Sequence, residues 1–313
     1  MAYEPVDLGR LRTRSLADRP SKVRVEDFAR PARAGASFAE FYAALPRVLA
    51  GQDVRAVVDA IVRARRAGRP VVVGLGAHVV KCGLGPVLVD LMERGVVTAL
   101  AMNGAVPIHD VELALVGHTS EDVEAGLREG AFGMARETGA LIHDALAAAG
   151  PDTGLGAAIG RRLLAVGAPY AHLSLLATAA RLGLPATVHV AIGTDVVHMR
   201  AETSGAALGA ASFLDFRLFT SVVADLAGGV YLNVGSAVIL PEVFLKAFTI
   251  ARNLGADLRD FTTVDLDMLS HYRPRTNVVQ RPAAVGGRGI SLTGRHELLI
   301  PLLAFAVVDA LGG

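Results

Sequence analysis

The chain is predicted to be an α/β protein with a Rossmann-like, mostly parallel sheet carrying helices on both faces, and three observations predict it. A short apolar run, Val71-Val72-Val73, reads as a strand buried on both sides, because a parallel strand covered by helices needs no polar alternation. Segments of helical periodicity alternate with strand-like runs along most of the chain. Glycine-containing loops follow the strands, first at Gly74-Leu75-Gly76-Ala77-His78, and ligands in such folds bind outside the carboxyl ends of the strands.

In chain order, residues 1 to 36 are polar and broken by prolines, as in Arg19-Pro20-Ser21 and Arg30-Pro31, and read as an arm with a solvated surface. A single α/β domain is expected over residues 37 to 313. Ser37 is placed to cap a helix containing Phe38, Phe41 and Leu45. After Gly51, the residues Val54, Val57, Val58, Ile61 and Val62 mark one face of a second helix.

The strand at Val71 leads through the glycine loop into a helix, Val79 to Arg94, ended by Gly95. A second strand, Val96 to Met102, follows, and then a loop from Asn103 to Asp110. Backbone N–H groups at such a helix start suit a phosphate, although Gly74-x-Gly76 lacks the third glycine of a dinucleotide fingerprint.

Ser120-Glu121-Asp122 reads as a helix start with Ser120 as cap. Alanine-rich helix follows as far as Gly167 with a glycine hinge near Gly130. Strand Thr187 to Ile192, helix Phe213 to Ala227, strand Val230 to Val234, helix Pro241 to Leu254 and strand Phe261 to Leu266 continue the alternation. A turn-rich segment, His271 to Arg288, precedes a last strand, Gly289 to Leu292, and a terminal helix from about His296.

Composition narrows the function classes. With 313 residues and 52% hydrophobic content, the chain can build a large core. A net charge of +1 gives no electrostatic footprint for nucleic acid or membrane. One cysteine, Cys82, excludes an intramolecular disulfide. No uninterrupted apolar run reaches membrane length, and the charged first 31 residues lack a signal-peptide core, so a cytoplasmic location is expected.

The loop ends gather Asn103, His109, Asp110, Thr194, Asp195, His198, Ser236 and His271, candidates for one pocket at the carboxyl end of the sheet. His109, Asp110 and His271 are the acid–base candidates. His109, Asp110, Glu112, Asp195 and His198 have no standard ligand spacing, so no metal is expected there. A serine hydrolase is excluded by the lack of a G-x-S-x-G elbow.

The run Val71-Val-Val-Gly-Leu-Gly-Ala-His-Val-Val-Lys-Cys-Gly-Leu, then Leu91-Met-Glu-Arg-Gly-Val-Val-Thr-Ala-Leu and Asn103-Gly-Ala-x-x-x-His-Asp-Val-Glu, resembles deoxyhypusine synthase and its bacterial relatives. The similarity continues through Ala186 to Asp195, Gly229 to Ser236, Arg252 to Asp257 and Leu298 to Pro301. It implies a deoxyhypusine synthase-like fold, a homotetramer or dimer with sites between subunits, and NAD as cofactor in a transferase or oxidoreductase reaction. By position, the NAD contacts implied are Gly76, Ala77, His78, Asn103, Gly104, Ala105, Thr194, Asp195, Gly235, Ser236 and Arg295.

The chain departs from that family at the residues that handle the polyamine. The imine-forming lysine is missing, since the only lysines are Lys22, Lys81 and Lys246. Arg200 stands where an acidic residue would hold the polyamine cation, Leu240 or Pro241 where a histidine is expected, and Arg295 at a late aspartate. Such changes turn a pocket from ammonium toward carboxylate or phosphate. The expectation is therefore an NAD(P)-dependent enzyme acting on a small metabolite other than spermidine, anionic or neutral. The alternative is a non-catalytic regulatory relative that binds a nucleotide or metabolite.

Overall fold

The computed structural model describes residues 2 to 312. Six strands form one sheet in the order β3-β2-β1-β4-β5-β6, every neighbouring pair parallel. The strands are β1 (Val71–Leu75), β2 (Ala99–Asn103), β3 (Ala186–His189), β4 (Val230–Val234), β5 (Thr262–Asp267) and β6 (Arg288–Thr293). This doubly wound order reverses direction between β1 and β4, and the reversal opens a crevice at the strand ends. The predicted fold class is the observed one.

The chain divides into two compact units, Met1–Gln52 and Asp53–Gly313. In the first, α1 (Phe38–Ala44) is capped as its sequence predicts: Ser37 Oγ accepts from Glu40 N–H, while Glu40 accepts from the Ser37 N–H at 2.8 Å. None of its helical segments before α2 (Leu49–Arg66) contains a buried residue.

The second unit holds the sheet. Val71, Val73 and Leu75 of β1 face Ile61, Leu88, Ile300 and Leu303 on helices α2, α4 (Gly85–Glu93) and the C-terminal helix His296–Leu311. Val72 faces the opposite layer with Tyr231, Phe219 and Phe244 from α10 (Gly205–Ala224) and α11 (Ile239–Asn253). Alternation along β1 thus serves two apolar layers, as a centrally placed parallel strand requires. Tyr231 and Phe244 stack with centroids 4.0 Å apart, and full burial of each such side chain is worth roughly 1.5–3 kcal/mol. Gly74 is needed beneath Tyr231, because a methyl there would come within 2.5 Å of the Tyr231 hydroxyl.

Several boundaries differ from the sequence-based expectation, each for a local reason. The helix expected over Val79 to Arg94 is two helices, α3 (Ala77–Lys81) and α4. Gly83 adopts φ +74° between them and Pro86 opens α4, a stop and a start in succession. The loop expected from Asn103 to Asp110 is instead the first half of α5 (Ala105–Val116). Pro107 lies in the first helical turn, where no intrahelical partner is lost.

Asp122, not Ser120, caps α6 (Val123–Glu129), accepting from Ala125 N–H at 3.1 Å. The alanine-rich stretch up to Gly167 resolves into α6, α7 (Arg136–Ala148) and α8 (Leu155–Ala165), and beyond it α9 (Leu175–Leu182) was not foreseen. Residues 272 to 283 are helical and include the π-helix Arg275–Gln280, in place of the expected turns.

One helix among the described residues, α10, is long and apolar enough to cross a membrane by length and composition. Its central Asp215 is fully buried and accepts hydrogen bonds from the N–H groups of Gly156 and Val188, which fastens α10 beside β3.

Candidate functional site

Two neighbouring clusters sit at the carboxyl end of the sheet. The first straddles the β1/β4 reversal. Leu75 is paired with Val234 there, and Gly76 donates to the Val234 carbonyl at 2.9 Å. The two loops pass so closely that a methyl on Gly76 would lie 1.8 Å from the Gly235 carbonyl oxygen. Gly235 itself has φ +67°, a conformation that costs a side-chain-bearing residue energy.

Ser236 is buried, its Oγ accepting from Leu240 N–H and its carbonyl from Asn233 Nδ2. Fully buried His296 approaches Gly235 and lies 5.5 Å, ring to ring, from His78. Because His296 Nε2 meets the Leu266 carbonyl at 3.2 Å, that nitrogen carries the proton, and Nδ1 is a buried acceptor without a partner. Arg295 precedes it, with Nη1 3.2 Å from Met268 Sδ. Gly76, His78, Gly235, Ser236 and Arg295 therefore share this end of the crevice.

The second cluster lies beyond β2. Asp195 folds back so that its carboxylate covers Gly104, where a methyl would come within 2.1 Å of Oδ2. The carboxylate also accepts from Ala191 N–H at 2.9 Å. Burial pushes the Asp195 pKa up despite those bonds. Asn103, adjacent to Gly104, accepts from Val106 N–H at 3.3 Å and so starts α5. Asp195 and Asn103 thus reach the same end of the sheet although distant in sequence.

Beside Asp195 opens a cavity of about 240 Å³ lined by Lys81, Ala105, His109, Glu112, Thr194 and Arg200, among others. Two cationic side chains and several carboxylates share it.

His109 is the best-defined chemical group in the cavity. Its Nδ1 is 2.7 Å from Thr119 Oγ1, and Thr119 in turn hydrogen-bonds Glu112, which Thr138 also contacts at 3.5 Å. An ionised carboxylate only accepts, so the Thr119 hydroxyl donates to Glu112 and its lone pair accepts from His109 Nδ1–H. The tautomer follows: Nε2 is the basic nitrogen. Burial lowers the His109 pKa, with Glu112 opposing and Lys81 assisting, which keeps the imidazole neutral near pH 7 and fit to accept a proton.

Two acid–base candidates are placed elsewhere. Asp110 is 1% exposed and turned away, accepting from Ser174 Oγ at 2.6 Å and from Leu175 and Leu176 N–H at the start of α9. Its oxygens hold a helix terminus. His271 follows β5 as the N-cap of the short helix Tyr272–Pro274 and does not line the cavity. It lies near buried Asp265, whose pKa is pushed up to about 6 by burial and lowered in part by His271. His198 bonds the Asp195 carbonyl through Nδ1 at 2.9 Å.

Thr119 was not singled out from the sequence, and Glu112 was considered there only as a metal ligand, not as a hydrogen-bonding partner of His109 through Thr119. Reading residues 103 to 110 as a loop hid the i,i+3 relation of His109 and Glu112, which on a helix puts both on one face.

No family model matches the chain, and no curated protein matches it. Solved structures do. The ternary complex of AgrE with ornithine and NAD+ superposes with TM-score 0.53 at 18% identity, over 86% of this chain and 35% of AgrE. A LOR/SDH-type protein from Methanococcus maripaludis S2 matches with TM-score 0.51 at 16% identity, over 82% of this chain and 69% of that one. A deoxyhypusine synthase candidate from Entamoeba histolytica gives TM-score 0.54 at 11% identity, over 88% and 95%.

The chain spans about a third of the length of AgrE and of ArgZ, a cyanobacterial arginine dihydrolase. At these identities the likeness is one of fold, a deoxyhypusine synthase-like α/β architecture.

Proposed function

We propose that the chain is an enzyme that binds NAD or NADP at the β1/β4 crevice and converts a small metabolite, other than spermidine, in the adjoining cavity with His109 Nε2 as acid–base. The observation that carries this reading is the Glu112–Thr119–His109 chain of hydrogen bonds at a cavity bordered by Asp195. Such an arrangement fixes one tautomer of a histidine that burial keeps neutral, as proton abstraction requires.

NAD is supported by the strand order, by the closely approaching glycines Gly76 and Gly235, and by the fold shared with NAD-bound AgrE. The cofactor contacts assigned are Gly76, Ala77, His78, Gly104 and Gly235, with Asn103, Ala105, Thr194, Asp195, Ser236 and Arg295 around them. When bound, the nicotinamide supplies a hydride acceptor. The chain's own residues supply the pocket shape, the Lys81 and Arg200 charges that favour an anionic group, and the base. Asp110 serves by holding α5, and His271 has no assigned role in this cavity. Assembly as a homo-oligomer goes with this reading, supported by exposed Tyr3, Val6, Leu8 and Leu11 in the first unit.

The test is to purify the protein, identify co-purified nucleotide by mass spectrometry, and then assay turnover of small amino and carboxylic acids, ornithine included, with that nucleotide. Nicotinamide reduction lost in His109→Ala is expected. Binding without turnover moves the protein to the non-catalytic alternative, and absence of nucleotide binding ends the reading.

A further inference from the structure

A thiol, an imidazole and a carboxylate converge outside the cavity. His78 and Cys82 are four residues apart, on one face where α3 ends, and His78 Nε2 lies 3.2 Å from Cys82 Sγ. Glu297, in the first turn of the C-terminal helix, brings Oε2 to 4.0 Å from the same sulfur. One ligand atom from each of the three lies within 4.8 Å of the other two. Among the described residues this is the one such group of three or more. Tetrahedral zinc with bonds of roughly 2.0 to 2.3 Å holds its ligand atoms about 3 to 4 Å apart, so only small side-chain adjustments separate this set from a coordination shell.

We propose that His78, Cys82 and Glu297 bind a single zinc ion. The donor types select it: one thiolate, one imidazole and one carboxylate suit a borderline-soft ion, where magnesium or calcium would call for oxygen alone. Charge balances as well. On binding, the Cys82 S–H bond gives up its proton to solvent and a sulfur–zinc bond forms, so thiolate and carboxylate together neutralise the dication. The nearby positive charges of Lys81 and Arg295, both close enough to act on the thiol, therefore face a neutral centre.

His78 and Cys82 are partly exposed and Glu297 is exposed, which leaves an entry path. Buried His296, beside His78, retains a Nδ1 acceptor without a partner, an electron pair that favours a cation nearby. Three protein ligands leave a fourth position open, the pattern of reactive rather than purely structural zinc. The Cys82 and Glu297 readouts of metal binding stand whether or not His78 also contacts a nucleotide.

Cys82 is the only cysteine, so any thiolate signal reports this position alone. Chelator-treated protein titrated with Co2+ is expected to develop a thiolate-to-cobalt charge-transfer band saturating at one equivalent, and Zn2+ is expected to bleach it. The band should vanish in Cys82→Ser. Affinity should fall at least roughly tenfold in Glu297→Gln and in His78→Gln, no less than loss of an outer-shell partner costs.

As a check that needs no variant, Zn2+ should slow alkylation of Cys82 by iodoacetamide in the wild-type protein. No charge-transfer band, no protection from alkylation, or a cobalt affinity unchanged in both Glu297→Gln and His78→Gln with native circular dichroism would each overturn the proposal.

Discussion

Thr119 Oγ1 stands between His109 Nδ1 and the Glu112 carboxylate, 2.7 Å from the imidazole, and that placement decides which nitrogen of His109 is basic. The imidazole is expected to titrate below its ordinary 6.5, as burial dictates. Glu112 raises this pKa and Lys81 lowers it, so Glu112→Gln should move it further down and Lys81→Gln up. Histidine-selective NMR titration measures all three, and a shift of either variant in the other direction would refute the geometry.

Gly104 has no room for a side chain because Asp195 lies on it. Gly104→Ala is expected to displace the carboxylate and to destabilise by about 1–3 kcal/mol, the usual cost of overpacking. Nucleotide titration should lose affinity in parallel. Denaturant melts and calorimetry read the two effects, and a variant with wild-type values in both would show that Asp195 is free to move.

Burial pushes the Asp215 pKa from an ordinary 3.8 to about 7. A carboxyl whose folded pKa is raised favours folding in its neutral form, so its contribution is fully present below about pH 4 and is lost as pH rises to about 7. Asp215→Asn keeps an oxygen for the Gly156 and Val188 N–H groups and removes the titration. The stability of the variant relative to wild type should therefore rise between pH 4 and 7, by a few kcal/mol on the order set by one pKa unit per about 1.4 kcal/mol. Parallel melting curves across that window would rule the linkage out.

Asp110→Ala should act on stability first. It strips partners from the Ser174 hydroxyl and from two backbone N–H groups, each loss costing roughly 1–3 kcal/mol when buried. Urea unfolding measures this. A stable variant that has lost only turnover would instead return Asp110 to the chemistry.

The protein is expected to make neither deoxyhypusine nor homospermidine. Lys246 is ion-paired with Glu242 on the solvent side of α11, and Lys81 shares its cavity with Arg200, a like charge that opposes a polyamine. Incubation with NAD and spermidine, borohydride reduction and mass spectrometry should give no aminobutyl adduct. An adduct on either lysine, or release of diaminopropane, would contradict this.

What the sequence made legible follows the range of the forces involved. Strands such as Val71–Leu75 were readable because burial on both faces leaves an unbroken apolar run. The cap at Ser37 is local and was visible for that reason, whereas the reciprocal bond from Glu40 appears only in the structure. Asp195 over Gly104, Asp110 under α9 and Thr119 beside His109 depend on contacts between segments that periodicity does not relate. The loop expected after Asn103 is in fact the first turns of α5, where a proline is tolerated as readily as in a turn.

His109 and Asp110 are successive residues of α5, yet one borders the cavity and the other grips the start of α9. A rigid helix converts any displacement at one into a displacement at the other. On the proposal that His109 is the base, substitutions in α9, which does not line the cavity, would be recovered in a screen as catalytic defects. By the same linkage an engineer would have a dial on the orientation of His109 that is worked from outside the cavity.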